Sequence, residues 1–153
     1  MRIKDAMSTA VVSVGPNHTL RQAAELMSSR HVGAAVVIDP ESAGHGILTE
    51  RDILHCAAKG LDLDAETVVG HLTSDLVYGD PEWGLREAAH VMVRGGFRHL
   101  VVVGDEQVEG VLSVRDIVRV WSSGLADLSA ATIGLSASPC FVDIATKLPP
   151  NAP

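Results

Sequence analysis

The chain of 153 residues is 46% apolar and 20% charged, a balance that supports a buried core and argues against disorder. Its formal net charge is −7 and its 12 Lys and Arg residues are scattered, so it lacks the basic stripe that phosphate-backbone binding requires, and no nucleic acid partner is expected. Met1-Arg2-Ile3-Lys4-Asp5 sets an acid where a signal peptide carries its apolar run, and no stretch reaches the roughly 18 uninterrupted apolar residues of a membrane span, so no membrane association and a cytoplasmic location are expected.

The first long element follows the Gly15-Pro16 turn. Leu20, Ala23, Ala24 and Met27 have the i, i+3, i+4, i+7 spacing of one helix face, and Thr19 with Gln22 offers a capping box at its start. Ala34-Ala35-Val36-Val37-Ile38 is too short and too β-branched for a helix and reads as a buried strand. A turn over 39–44 leads to a second strand at 46–48, making a hairpin, and a helix follows over about 50–59. Residues 60–67 read as a connection. The order then repeats: an Asp80-Pro81 turn, a helix with the stripe Leu85, Ala88, Ala89 and Met92, strands over 100–103 and 110–112, and a helix over about 114–122. Each unit is strand, helix, strand, strand, helix. Beyond Gly124 the pattern stops and a tail follows, whose segment around Phe141-Val142-Asp143-Ile144-Ala145 is expected to dock on the module or on a partner chain, and whose last residues are expected to be mobile.

The repetition is more than a matter of pattern. Leu20-Arg21-Gln22-Ala23-Ala24-Glu25-Leu26-Met27 returns as Leu85-Arg86-Glu87-Ala88-Ala89-His90-Val91-Met92, and Gly46-Ile47-Leu48-Thr49-Glu50-Arg51-Asp52 returns as Gly110-Val111-Leu112-Ser113-Val114-Arg115-Asp116. Two blocks recurring in order at nearly one offset mark a tandem duplication. The offset, about 65 residues, exceeds the range of about 20–50 for solenoids and propellers, so each copy is a small α/β unit and the pair buries a core that neither builds alone. The copies are expected over 1–59 and 68–123, with the connection 60–67 between them and the tail over 124–153.

The recurrent Gly-aliphatic-Leu-Thr/Ser-x-Arg-Asp carries the strongest chemical signal. A hydroxyl at a strand end, where a helix opens, points toward the backbone N–H groups that attract phosphate oxygens. Arg51 or Arg115 can add a cationic contact, and the carboxylate of Asp52 or Asp116 suits a vicinal ribose diol. The same residues also read as an N-cap followed by an acid at the third helical position. Retention of Gly, hydroxyl, Arg and Asp in both copies, while Glu50 and Val114 diverge, puts the functional reading ahead.

The two copies resemble a pair of CBS motifs of the stand-alone prokaryotic type, a Bateman module, in which Gly-h-x-Thr/Ser-x-x-Asp marks the adenosine-nucleotide site. The resemblance covers about residues 3–122. It implies an α/β (α+β) fold with the two motifs packed about a pseudo-twofold axis and clefts that mix strands from both copies. Arg98-His99-Leu100-Val101-Val102-Val103 resembles the basic pair that contacts phosphates in the γ subunit of AMP-activated protein kinase, whereas the first copy has Gly33-Ala34-Ala35 and no cation there. One implied cleft combines Ser113, Arg115, Asp116, Arg98 and His99 with contacts near Val12, Val32 and Gly33. The other combines Thr49, Arg51 and Asp52 with the segment near Val77 and Phe97. Adenine would lie against aliphatic side chains, its edges read by backbone groups. The second-copy cleft, with its basic pair, is expected to fill first with phosphorylated ligands.

The resemblance implies a regulatory module sensing an adenosine-containing metabolite, such as AMP, ADP, ATP, NAD(H) or S-adenosylmethionine, and handing its output to a separate effector protein. No cofactor beyond that regulatory ligand is expected. It also implies a homodimer paired through helices, for which Ala23, Ala24, Ala88 and Ala89 permit close approach. The competing reading keeps the fold and drops the ligand, leaving a structural dimer. An enzyme is not expected: no serine has a nucleophile-elbow context, and Cys56, read as a buried thiol, shows no activating partner in sequence. Cys56 and Cys140 form no redox or metal pair, the seven histidines show no ligand spacing, and Trp83 and Trp121 read as packing anchors.

Overall fold

A computed structural model describes residues 1–41 and 44–132, with side chains through residue 124. Met1–Val120 form one compact unit. The tail expected to dock around Phe141, and Cys140 with it, lie outside the described residues.

Two three-stranded sheets form the frame, ordered β1-β2-β3 and β4-β5-β6. In the first copy β1 (Ser13–Val14) pairs parallel with β2 (Ala34–Ile38), which pairs antiparallel with β3 (His45–Thr49). Helix α1 (Leu20–Ser29) joins β1 to β2, and α2 (Glu50–Ala58) follows β3 without a break. The second copy repeats this with β4 (Tyr78–Gly79), α3 (Leu85–Gly95), β5 (His99–Gly104), β6 (Gln107–Ser113) and α4 (Val114–Thr132). Both units are thus strand, helix, strand, strand, helix, as the sequence indicated. Helix α4 runs ten residues past the expected stop at 122. The stretch Leu125-Ala126-Asp127-Leu128-Ser129-Ala130-Ala131 is rich in the strongest helix formers, which outweigh one interior glycine costing about 1 kcal/mol.

The strands read as continuous apolar runs because both of their faces are covered. In β2, Ala35 and Val37 face the first helix-backed core with Leu20, Met27 and Leu48, while Ala34 and Val36 face the other way with Ile47 and Val101. In β5, Leu100 and Val102 face the second core with Leu85, Met92 and Leu112. The third cluster, joining Val36 to Val101, therefore lies between the sheets and makes the two copies one body. Ala23 and Ala88 are fully buried in their own cores, so the close approach that these two permit is to their own sheets, whereas Ala24 and Ala89 are half-buried. Among the exposed apolar residues, Leu54 on α2 and Val118 on α4 stand at equivalent positions of the repeat and are 65% and 54% exposed.

The copies also exchange their leading segments. Ile3, from the first, is fully buried in the second core, its N–H donating to Trp83 O at 2.9 Å. Val68, from the second, is fully buried in the first core, its N–H donating to His18 O at 2.9 Å. Beyond these anchors Ser8 bridges to Val111 on β6, and Thr73 to Ile47 on β3. The connection 60–67 folds back with them, placing Leu61 and Leu63 on the first core. Among the described residues no helix is long and apolar enough to cross a membrane.

Candidate functional site

Each hairpin delivers its second strand directly into a helix, and the residues at the junction cap that helix. Asp52 Oδ2 accepts from the Thr49 N–H at 2.8 Å and from Thr49 Oγ1 at 2.6 Å, while Thr49 Oγ1 accepts from the Asp52 N–H at 3.4 Å. Asp116 Oδ2 likewise accepts from the Ser113 N–H at 2.9 Å and Ser113 Oγ at 2.5 Å, with Ser113 Oγ accepting from the Asp116 N–H at 3.3 Å. Both copies therefore carry a reciprocal cap. The first N–H of each helix is occupied too, Glu50 donating to Gly33 O and Val114 to Arg98 O, each at 3.0 Å. Fewer helix N–H groups are open to an anion than the sequence suggested.

The caps leave the second carboxylate oxygen of each Asp for other work, since a carboxylate offers about four acceptor positions. Asp116 Oδ1 accepts from Arg119 Nη1 at 2.9 Å. Among the described residues no donor reaches Asp52 Oδ1.

The capped turns open onto two cavities. The larger, about 830 Å³, is walled by Val12, Val32 and Gly33 from the first copy and by Arg98, His99, Ser113, Arg115 and Asp116 from the second. The smaller, about 390 Å³, brings Thr49, Arg51 and Asp52 to Val77 and Phe97. All the residues read from the sequence thus gather in two groups, each made by both copies. The exchange of leading segments explains the mixing: the bridge from Ser8 to Val111 carries Val11 and Val12 past the second-copy turn, and that from Thr73 to Ile47 carries Leu76 and Val77 past the first.

Two expectations about the basic pair are corrected. Arg98 and His99 line both cavities rather than the second-copy cleft alone, while Gly33 lines the larger one as expected. Position 33 is the equivalent of 98, and each segment borders the cleft of the other copy's turn. Nor is His99 a second cation. Burial, and then the Arg98 charge beside it, hold its imidazole below the ordinary value, because both disfavour the protonated ring. Neutral His99 offers one donor and one acceptor.

Sequence reasoning missed Glu50, which enters the larger cavity and lies 3.5 Å from Arg98, and Asp75 in the smaller. Neither belongs to the recurrent motif, so no pattern marked them. It also missed His31 on the larger cavity, with φ 54° in the left-handed region where the second copy has Gly96 with φ 68°. Both residues end a helix, and a glycine in one copy was the available signal for a left-handed turn in the other.

Cys56 is buried, as expected, but it has partners that the sequence did not reveal. Its Sγ lies 3.2 Å from His71 Nδ1, and His71 Nε2 lies 2.7 Å from Glu66 Oε2. The group ties the returning connection to α2. Trp83 packs on the second core, whereas Trp121 is 51% exposed and is not a packing anchor in the described fold.

The sequence matches the CBS domain family twice, over residues 3–59 and 68–123. It is 36% identical over 117 residues to the CBS domain-containing protein YhcV of Bacillus subtilis, covering 75% of this chain and 81% of that one. With hypoxic response protein 1 of Mycobacterium tuberculosis it shares 32% over 118 residues, covering 76% and 82%. Among solved structures, the CBS domain protein PAE2072 from Pyrobaculum aerophilum complexed with AMP is 30% identical with a TM-score of 0.72, covering 83% of this chain and 99% of that one. The hexameric CBS-CP12 protein from bloom-forming cyanobacteria is 27% identical with a TM-score of 0.74, covering 77% and 69%. With the sheets, the exchanged leads and the paired cavities all built from one duplicated unit, the chain belongs to the CBS domain family as a tandem pair.

Proposed function

We propose that this chain is a regulatory binding module that senses an adenosine-containing metabolite in the clefts between its two CBS motifs. The observation that carries the reading is the placement of both copies of the recurrent Thr/Ser-x-Arg-Asp turn on cavities walled by both repeats. A capping role alone requires no cavity. In each cleft the Asp accepts the ribose diol, aliphatic side chains such as Val12 and Val32 or Val77 cover the base, and arginines meet phosphate. The relative solved with AMP makes adenosine monophosphate the first ligand to test, ahead of ATP, NAD(H) and S-adenosylmethionine. The role is regulatory rather than catalytic, and the output passes to a separate cytoplasmic effector protein. A ligand at 100 times its dissociation constant adds about 2.7 kcal/mol to the folded state, so melting the protein with each ligand should give a rise of several degrees for at least one. A panel without any shift would favour the alternative, a ligand-free structural dimer.

The module is also proposed to form a homodimer. Leu54 and Val118, exposed at equivalent positions on α2 and α4, give an isologous partner two matching apolar contacts. Sedimentation at micromolar concentration should give twice the 16.1 kDa of one chain, and a single monomeric species would refute the pairing.

A further inference from the structure

Three arginines and two carboxylates line the larger cleft, and they are unevenly paired. Arg119 is held by Asp116 at 2.9 Å, and Arg98 lies 3.5 Å from Glu50. Among the described residues no carboxylate reaches Arg115. Glu50 belongs to the first-copy turn, which opens on the other cleft, and it reaches into this one because position 33 has no side chain. A Cβ on Gly33 would come within 3.3 Å of both the Glu50 carboxyl and His99 Nε2. The second copy has Val114 at the equivalent place, so the acid stands on one side only.

We propose that Glu50 determines the specificity of the larger cleft: by pairing with Arg98 it leaves Arg115 as the cleft's guanidinium without a carboxylate partner among the described residues, so that the cleft takes a nucleoside monophosphate in preference to the di- or triphosphate. This rests on the adenosine-sensing reading of the cleft. Neutral His99 adds no charge to the balance. A monophosphate finds Arg115 for its phosphate and Asp116 for its diol. Each further phosphate brings like charge toward the Glu50 carboxylate, and has to draw Arg98 away from it. The pair itself is well exposed, at 62% for the Glu50 side chain and 49% for Arg98, and exposed pairs add little to folding stability. Substituting Glu50 therefore changes selection while the fold stays intact.

Calorimetric titration of the full chain and of Glu50→Gln with adenosine, AMP, ADP and ATP, in magnesium-free buffer, tests this. The native chain should bind AMP more tightly than ADP and ADP more tightly than ATP. Glu50→Gln should leave adenosine unchanged and narrow the ratio of AMP to ATP affinity by about tenfold. Native binding of ATP as tight as that of AMP, or a Glu50→Gln effect equal for adenosine and ATP, would overturn the assignment while leaving the sensing role standing. If the native chain binds none of the four, the sensing reading itself falls, and this inference with it.

Discussion

Gly110→Ala should destabilise the protein by about 3 kcal/mol, near the upper end of the cost of overpacking, and lower its melting temperature by about 10 °C. The cause is the exchanged lead. A Cβ on Gly110 would lie 2.7 Å from both the Met7 sulfur and the Ser8 carbonyl oxygen. The Ser8 contact is with backbone, in the segment whose two 3.0 Å hydrogen bonds to Val111 hold the first-copy lead against β6, so no rotamer relieves it. Gly46 occupies the same place in the first copy, and its Cβ would meet the Leu72 side chain at 2.9 Å and the Thr73 carbonyl at 3.3 Å. Leu72 can turn away and the backbone contact is only tight, so Gly46→Ala should cost about 1 kcal/mol. Thermal melts of the two variants decide the matter. Equal losses would show that the motif glycine serves its own hairpin rather than the crossing segment.

That contrast also shows what the sequence could and could not convey. The recurrence of glycine at 46 and 110 was legible, but its reason was not, because the segments that press on it come from residues 7–8 and 72–73, whose composition carries no periodicity. Elements were legible where a single face or a short apolar run defines them: α1 and α3 from their stripes, β2 and β5 from runs covered on both sides. The end of α4 was not, since the repeat stops at Gly124 while helix propensity continues. The turn residues Thr49, Arg51 and Asp52 and their counterparts Ser113, Arg115 and Asp116 were legible because the duplication supplies its own internal comparison, each copy filtering the other's incidental residues, whereas their grouping with Val12, Val32 and Gly33 or with Val77 and Phe97 came from the resemblance to CBS pairs. The same filter removed Glu50, whose counterpart is Val114, and that asymmetric acid distinguishes the larger cleft. The charge of His99 was beyond the sequence for another reason, because a cation beside a histidine in the chain says nothing of how deeply the ring is buried.

Asp116→Ala should weaken AMP binding in the larger cleft by about 10-fold to 100-fold, the value of one hydrogen bond to a charged group at about 1.5–3 kcal/mol. Asp116 Oδ2 already accepts two bonds in the cap and Oδ1 one from Arg119, which leaves a place on Oδ1 for a ribose hydroxyl. The substitution also removes a negative charge and releases Arg119 into the cleft, and both changes favour a phosphate. A net loss therefore runs against the change in charge, and its excess over the loss caused by the matching cap variant reports the sugar contact. Asp52→Ala should leave the tight phase intact, because its turn opens on the smaller cavity, where Arg51 and Arg98 are offset by Asp52 and Asp75 and Phe97 narrows the space. Folding should suffer alike in the two variants, by about 0.5–2 kcal/mol for a lost cap, since the caps match bond for bond. Calorimetry with AMP beside ligand-free melting curves separates the two roles. Should both variants melt lower and bind as the native protein does, the repeated turn is a helix cap and no more, and the cavities beside it are not adenosine sites.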